Sequence, residues 1–159
     1  FDFENYKVIP RSYDVKIKPK FLDRDQFIKF DYMNNQIVST GSYKWSEIIN
    51  NDFLIMDPLN VQIMIRTLVK ESKTEFSLNI VDMQKGGFKE YDFKITGNEM
   101  CVFNNEEFNC IVLQRSREGS NRKVTYYLLE KYEYMFLKII DINPERKNTL
   151  SLVEILSFG

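Results

Sequence analysis

Apolar and polar residues alternate along most of this chain. In "YDVKIK", Tyr13, Val15 and Ile17 fall on one side and Asp14, Lys16 and Lys18 on the other, the period of two that a half-buried antiparallel strand requires. "FIKFDYMNNQIVST" reads as two such runs joined through Asn34 and Asn35, because asparagine tolerates the left-handed backbone of tight turns. The same alternation marks "TEFSLNIV", "GFKEYDFKIT" after a turn at Gly86 and Gly87, "KVTYYLL", "MFLKIID" and "TLSLVEIL". The predicted fold class is mainly β: about ten antiparallel strands in meander order, forming a barrel or a strongly curved sheet.

One segment breaks the alternation. In "MDPLNVQIMIRTLVKES", Asp57 stands where an N-cap belongs and Pro58 at the first helical position, while Val61, Ile65, Leu68 and Val69 recur at helical spacing. This predicts one helix near residues 58–70. Ile63 and Met64 widen its apolar surface, which suits packing on the concave face or over an end of the barrel.

Length and composition then narrow the classes. A chain of 159 residues without repeat, linker or charge block is expected to be a single β-rich domain, 1–159. Its 13 Phe and 9 Tyr reinforce the strand reading, since aromatic rings fit pleated, half-buried surfaces. With 22 basic and 23 acidic residues the net charge of -1 removes the electrostatic term that dominates nucleic-acid affinity, so no nucleic-acid partner is expected. No apolar run reaches the roughly 18 residues a membrane helix needs, so no transmembrane segment is expected.

Histidine is absent, which removes the usual Ser-His-Asp and Cys-His nucleophile systems and His-based zinc sites. A carboxylate pair remains chemically able to hydrolyse glycosides, but 23 acidic residues give no means of choosing one. The chain is therefore read as non-catalytic, with no cofactor, no metal and no catalytic residue assigned. Candidate binding residues come from two places. "QRSREGSNRK" sets Arg115, Arg117, Arg122 and Lys123 against Glu118 alone at a hairpin tip around Gly119, a group suited to phosphate or carboxylate on a lipid headgroup or a partner. Arg66 lies within the apolar helix and is expected to be partly buried and paired.

The order of these elements resembles a known family. "DPLNVQIMIRTLV", "NIVDMQKGGFKEYDFKITGNEMC", "LQRSREGSNRKVTYYL" and "YEYMFLKII" are similar, from about Ser12 to Leu156, to the bacterial exported proteins grouped as domain-of-unknown-function family 3108. The family's D-x-L-S helix start ending in Arg corresponds to Asp57, Leu59 and Arg66, and its V-x-D-x-G-x-x-x-x-Y-x-F strand pair to Val81, Asp82, Tyr91 and Phe93. Its G-x-E step falls on Gly97 and Glu99, its R-x-R-E hairpin on Arg115, Arg117 and Glu118, and its Y-x-P-V-x-I strand on Tyr134, Leu137 and Ile139. Asn60 replaces the family's Ser, Phe136 its Pro, and Phe103, Asn104, Asn105 and Glu106 its T-P-x-G turn. The resemblance implies a periplasmic module without established activity, the mature part of an exported protein whose leader is not included. Its expected partners are a lipid or other apolar ligand, or a protein of the cell envelope; the runner-up is a carboxylate-dependent envelope hydrolase.

Cys101 and Cys110 flank "VFNNEEFN". A loop of Asn105-Glu106 alone, or of residues 104–107, sets them directly opposite one another, within reach of a disulfide. A three-residue loop with a bulge sends the two side chains to opposite faces. The family resemblance favours the bulge, with its turn Gly at Glu106, yet Glu is a poor occupant of a left-handed position. For an exported protein the expectation is a Cys101–Cys110 disulfide.

Overall fold

The computed structural model describes residues 1–16, 25–49 and 54–155, so Ile17, Lys18 and Leu156 of the runs above lie outside the described residues. Among the described residues β1 (Asp2–Glu4) and β2 (Lys7–Ile9) form a two-stranded sheet. A four-stranded antiparallel sheet follows in chain order from β3 (Ser12–Val15), β4 (Gln26–Asp31), β5 (Gln36–Gly41) and β6 (Trp45–Ile48). Then come β7 (Ile55–Met56), helix α1 (Asn60–Lys70), β8 (Glu75–Val81), β9 (Phe88–Phe103), β10 (Glu106–Ser116), β11 (Lys123–Leu129), β12 (Met135–Asn143) and β13 (Arg146–Ser151). These seven strands form one sheet in the order β13-β12-β11-β10-β9-β8-β7.

The chain is thus mainly β with one helix, and largely antiparallel. It is not a closed barrel or one meander. The strands divide among several sheets, and β7 pairs with β8 in parallel, Ile55 with Asn79 and Met56 with Ile80. The helix explains the parallel pair, because a strand–helix–strand connection returns the chain in the same direction, as no tight turn can. The last alternating run also ends early: β13 stops at Ser151, and Leu152 instead donates its N–H to the Leu137 carbonyl at 2.8 Å.

Two compact units are present, residues 1–67 with 78–90 and residues 68–77 with 91–159. In the first, Ile28, Phe30, Ile37, Ile49, Ile55 and Val81 form the core, with Tyr13, Tyr32, Trp45 and Met83 packed against them. The β4–β5 loop runs over residues 32–35, since Asp31 pairs with Gln36; Asp31 accepts from the Asn34 N–H at 3.1 Å and only Asn35 of the two asparagines is left-handed. Gly41, at φ 103°, cannot be replaced there, because a Cβ would lie 2.4 Å from the Asp25 carbonyl oxygen. Buried Gln26 ties this end together, accepting from the Tyr43 N–H at 3.0 Å and donating to the Ser39 hydroxyl.

Helix α1 starts as its sequence dictates. The buried Asp57 carboxylate accepts from the N–H groups of Leu59 (2.8 Å) and Asn60 (2.9 Å), and the Asn60 side-chain amide donates to its other oxygen. Val61, Met64, Ile65 and Val69 are its buried face, so Met64 takes the core position and Leu68 is half-buried. It ends with Ser72 left-handed (φ 62°), Ser72 N–H bonding the Val69 carbonyl and Lys73 N–H that of Leu68, a Schellman arrangement without glycine.

Candidate functional site

The second unit holds the cysteine hairpin. Asn104 and Asn105, at φ 51° and 64°, form a two-residue turn of the kind that matches strand twist, and Phe103 pairs with Glu106. Neither register considered from the sequence is adopted. Cys101 faces Phe108 and Cys110 faces Glu99, so the cysteines are diagonal neighbours on one face, with Cα atoms 6.0 Å apart and a disulfide between them. The reason is the pair of asparagines, which accept the left-handed conformation that Glu106 would resist. Around the disulfide pack Phe103, Phe108, Leu129 and Leu137, with Tyr127, Tyr132, Leu152 and Ile155 at the margin.

Beside this core runs a groove of about 380 Å³. Cys101, Phe103, Tyr127, Leu137 and Leu152 contribute apolar wall, and Glu99, Lys138 and Ser151 contribute polar groups. The strand register brings these together: Tyr127 pairs with Lys138 and Lys138 with Ser151, which places all three on the same face. Lys138 Nζ sits 4.0 Å from the centre of the Tyr127 ring, a cation–π contact that fixes the ammonium over the aromatic wall. Burial, and then the Glu99 charge, push the Tyr127 phenol up from its ordinary pKa, so it enters the groove as a neutral hydrogen-bonding group. The mixed lining suits an amphipathic guest.

The sequence candidates divide between the units. Arg66 is half-buried on α1 in the first unit and is not free. Arg115, Arg117 and Arg122 belong to the second. Arg122 bonds Asp141 through two donors, Nε at 2.8 Å and Nη2 at 2.5 Å, and this pairing holds the Asp141 carboxyl below the usual carboxylate range. The guanidinium carbons of Arg115 and Arg117 stand 4.7 and 5.8 Å from the centre of the Tyr91 ring. Lys123 opens β11 and is exposed.

A second cleft of about 430 Å³ is lined by two carboxylates, but Glu75 pairs with Lys94 at 2.5 Å and Asp92 accepts from the Ser77 hydroxyl at 2.7 Å. In the first unit burial pushes the Tyr32 phenol up to about 12, and its oxygen is the one buried side-chain polar atom without a hydrogen-bond partner among the described residues. Also among the described residues, no group of His, Cys, Asp and Glu is placed to hold a metal ion, and no helix is long and apolar enough to cross a membrane.

Fold and geometry together define a mainly antiparallel β protein with a disulfide-edged groove on one sheet face. No family model, curated protein or solved structure matches the chain. The groove itself was not foreseen, because its walls come from segments 99–104, 127, 137–138 and 151–153, which only strand pairing unites. Tyr91 and Asp141 were missed as partners of the arginines for the same reason. The alternation placing Tyr91 in step with Phe93, and Asp141 in step with Ile139, is the signal that puts them on a shared face.

Proposed function

We propose that this chain is a non-catalytic binding module of the bacterial cell envelope, working in the periplasm, and that the groove of its second unit takes an amphipathic, lipid-like molecule. The observation that carries this reading is the groove's construction: a concavity of about 380 Å³ beside an aromatic and aliphatic core, with Lys138 and Glu99 at its wall to orient a polar end. The Cys101–Cys110 disulfide supports an oxidising compartment, and the motif order similar to the exported family supports the same location. The apolar end of the guest would lie against Leu137, Leu152 and the disulfide.

Native mass spectrometry of protein purified from its own periplasm tests this directly. The expected result is a co-purifying small amphiphile that is lost in Val153→Arg, a change at a groove residue that is 83% exposed and so places little demand on folding. Protein that carries no guest, and that binds neither fatty acids nor phospholipids after delipidation, refutes the proposal. The competing hydrolase reading draws little from this groove, where Glu99 is the one carboxylate among the lining residues.

A further inference from the structure

The face of the sheet opposite the groove carries a concentration of arginine that the groove does not use. On β11 the neighbours Tyr126 and Tyr127 point to opposite faces; Tyr127 lines the groove, whereas Tyr126 pairs with Leu113, two positions from Arg115 on the same face. Arg115 pairs with Val124 and Val124 with Asp141, while Asn143, two positions on, pairs with Arg146. The face therefore gathers Arg115, Asp141 and Arg146, and Arg117 joins it through the Tyr91 ring that it shares with Arg115. Arg122 joins it through Asp141.

Charge on this face does not balance. The Asp141 carboxylate feels Arg122, Arg115 and Arg146, but its hydrogen bonds go to Arg122. Among the described residues, neither Arg115 nor Arg117 lies within ion-pair distance of a carboxylate. Both are half-buried, which costs hydration that a counter-ion would ordinarily offset. The contacts with Tyr91 set both guanidinium groups beside one aromatic ring, and the hydrogen bonds among the described residues use none of their N–H donors. Two like charges fixed beside one ring, each with unused donors in a fork geometry, make a site in which an anion with several oxygens relieves the repulsion and accepts the bonds.

We propose that Arg115 and Arg117, oriented by Tyr91, form a binding site for a phosphate group, separate from the groove. The chemistry is shared by soluble phosphate esters and by anionic lipid headgroups, and the measurement separates them. Inorganic phosphate is titrated into the protein at low ionic strength, following the backbone amide and arginine Nε–H resonances by NMR. Sedimentation with vesicles of phosphatidylglycerol and phosphatidylcholine in equal parts is measured alongside.

Arg115→Gln/Arg117→Gln should weaken phosphate binding at least about tenfold, the loss of one charge-assisted contact. Lys44→Gln/Lys85→Gln, which removes the same charge from exposed positions of the first unit, should leave binding unchanged. Arg115→Lys/Arg117→Lys keeps the charge and the fold but loses the forked donors, and should also bind more weakly. Phosphate binding without vesicle binding supports the site and assigns it to soluble esters; vesicle binding that phosphate competes away supports it and assigns it to headgroups. Failure of the parent protein to bind either probe at low salt, or equal losses in the arginine and lysine variants, overturns the proposal.

Discussion

Replacing Asp57 by alanine tests the start of the helix more sharply than any other single change. The carboxylate accepts from Leu59 N–H, Asn60 N–H and the Asn60 side-chain amide, and both Asp57 and Asn60 are buried. Loss of an exposed N-cap costs about 1 kcal/mol. Here the change also strands the buried side-chain amide of Asn60, worth on the order of a further 1 to 3 kcal/mol. The expected cost of Asp57→Ala is therefore about 3 kcal/mol, a shift of roughly two decades in the folding equilibrium.

Urea unfolding followed by the fluorescence of Trp45, the single tryptophan and a member of the same unit, measures it. Asp57→Asn should cost about half as much, since one oxygen remains to cap the backbone while its new amide opposes that of Asn60. In the Asp57→Ala background, Asn60→Ala should add little, because a donor with no partner is being removed. Lys70→Ala serves as control: its ion pair with Glu133 has both side chains more than half exposed and should contribute no more than about 0.5 kcal/mol. An Asp57→Ala protein within about 0.5 kcal/mol of its parent would refute the reasoning, as would equal costs for the alanine and asparagine variants.

Two further outcomes follow from the second unit. Alkylation under denaturing, non-reducing conditions should modify neither cysteine; the double alanine variant should still fold, at a cost of about 2 to 3 kcal/mol for so short a loop, and two alkylated thiols in protein isolated without reductant would refute the bridge. The Asp141 carboxyl is held below its unfolded value of 3.8, so its contribution is complete above that value and is lost as pH falls through the lower folded one. Asp141→Asn should accordingly flatten the decline of melting temperature below about pH 4, and an unchanged acid slope would count against the Arg122–Asp141 pairing.

What could be read from the sequence was local. Alternation located β8, β11 and β12 closely, and Asp57-Pro58 located the helix, because each signal lies within one element. The parallel pairing of β7 escaped notice because two residues, Ile55 and Met56, are too few to show a period. Sheet division and barrel closure depend on which distant strands pair, which alternation does not encode. Asn104-Asn105 is legible in principle from the conformational tolerance of asparagine, but spacing alone leaves open Asn105-Glu106, residues 104–107 or a three-residue bulge, and the structure turns one residue before the first of these. The arginines were recognised as candidates; their ring and their counter-charge sit on other strands, so the site's shape was not.

The diagonal bridge has a consequence for how the hairpin finds its alignment. Sliding β9 against β10 by one position would turn Cys101 and Cys110 to opposite faces, so the covalent bond rules that error out. Sliding by two restores the same faces and sets the cysteines directly opposite, a separation the bond also tolerates. Oxidation therefore proofreads odd slips and is blind to even ones. Discrimination between the two even alignments falls to Asn104 and Asn105, and replacing both with β-branched residues would leave an oxidised, correctly facing hairpin free to settle in the wrong frame.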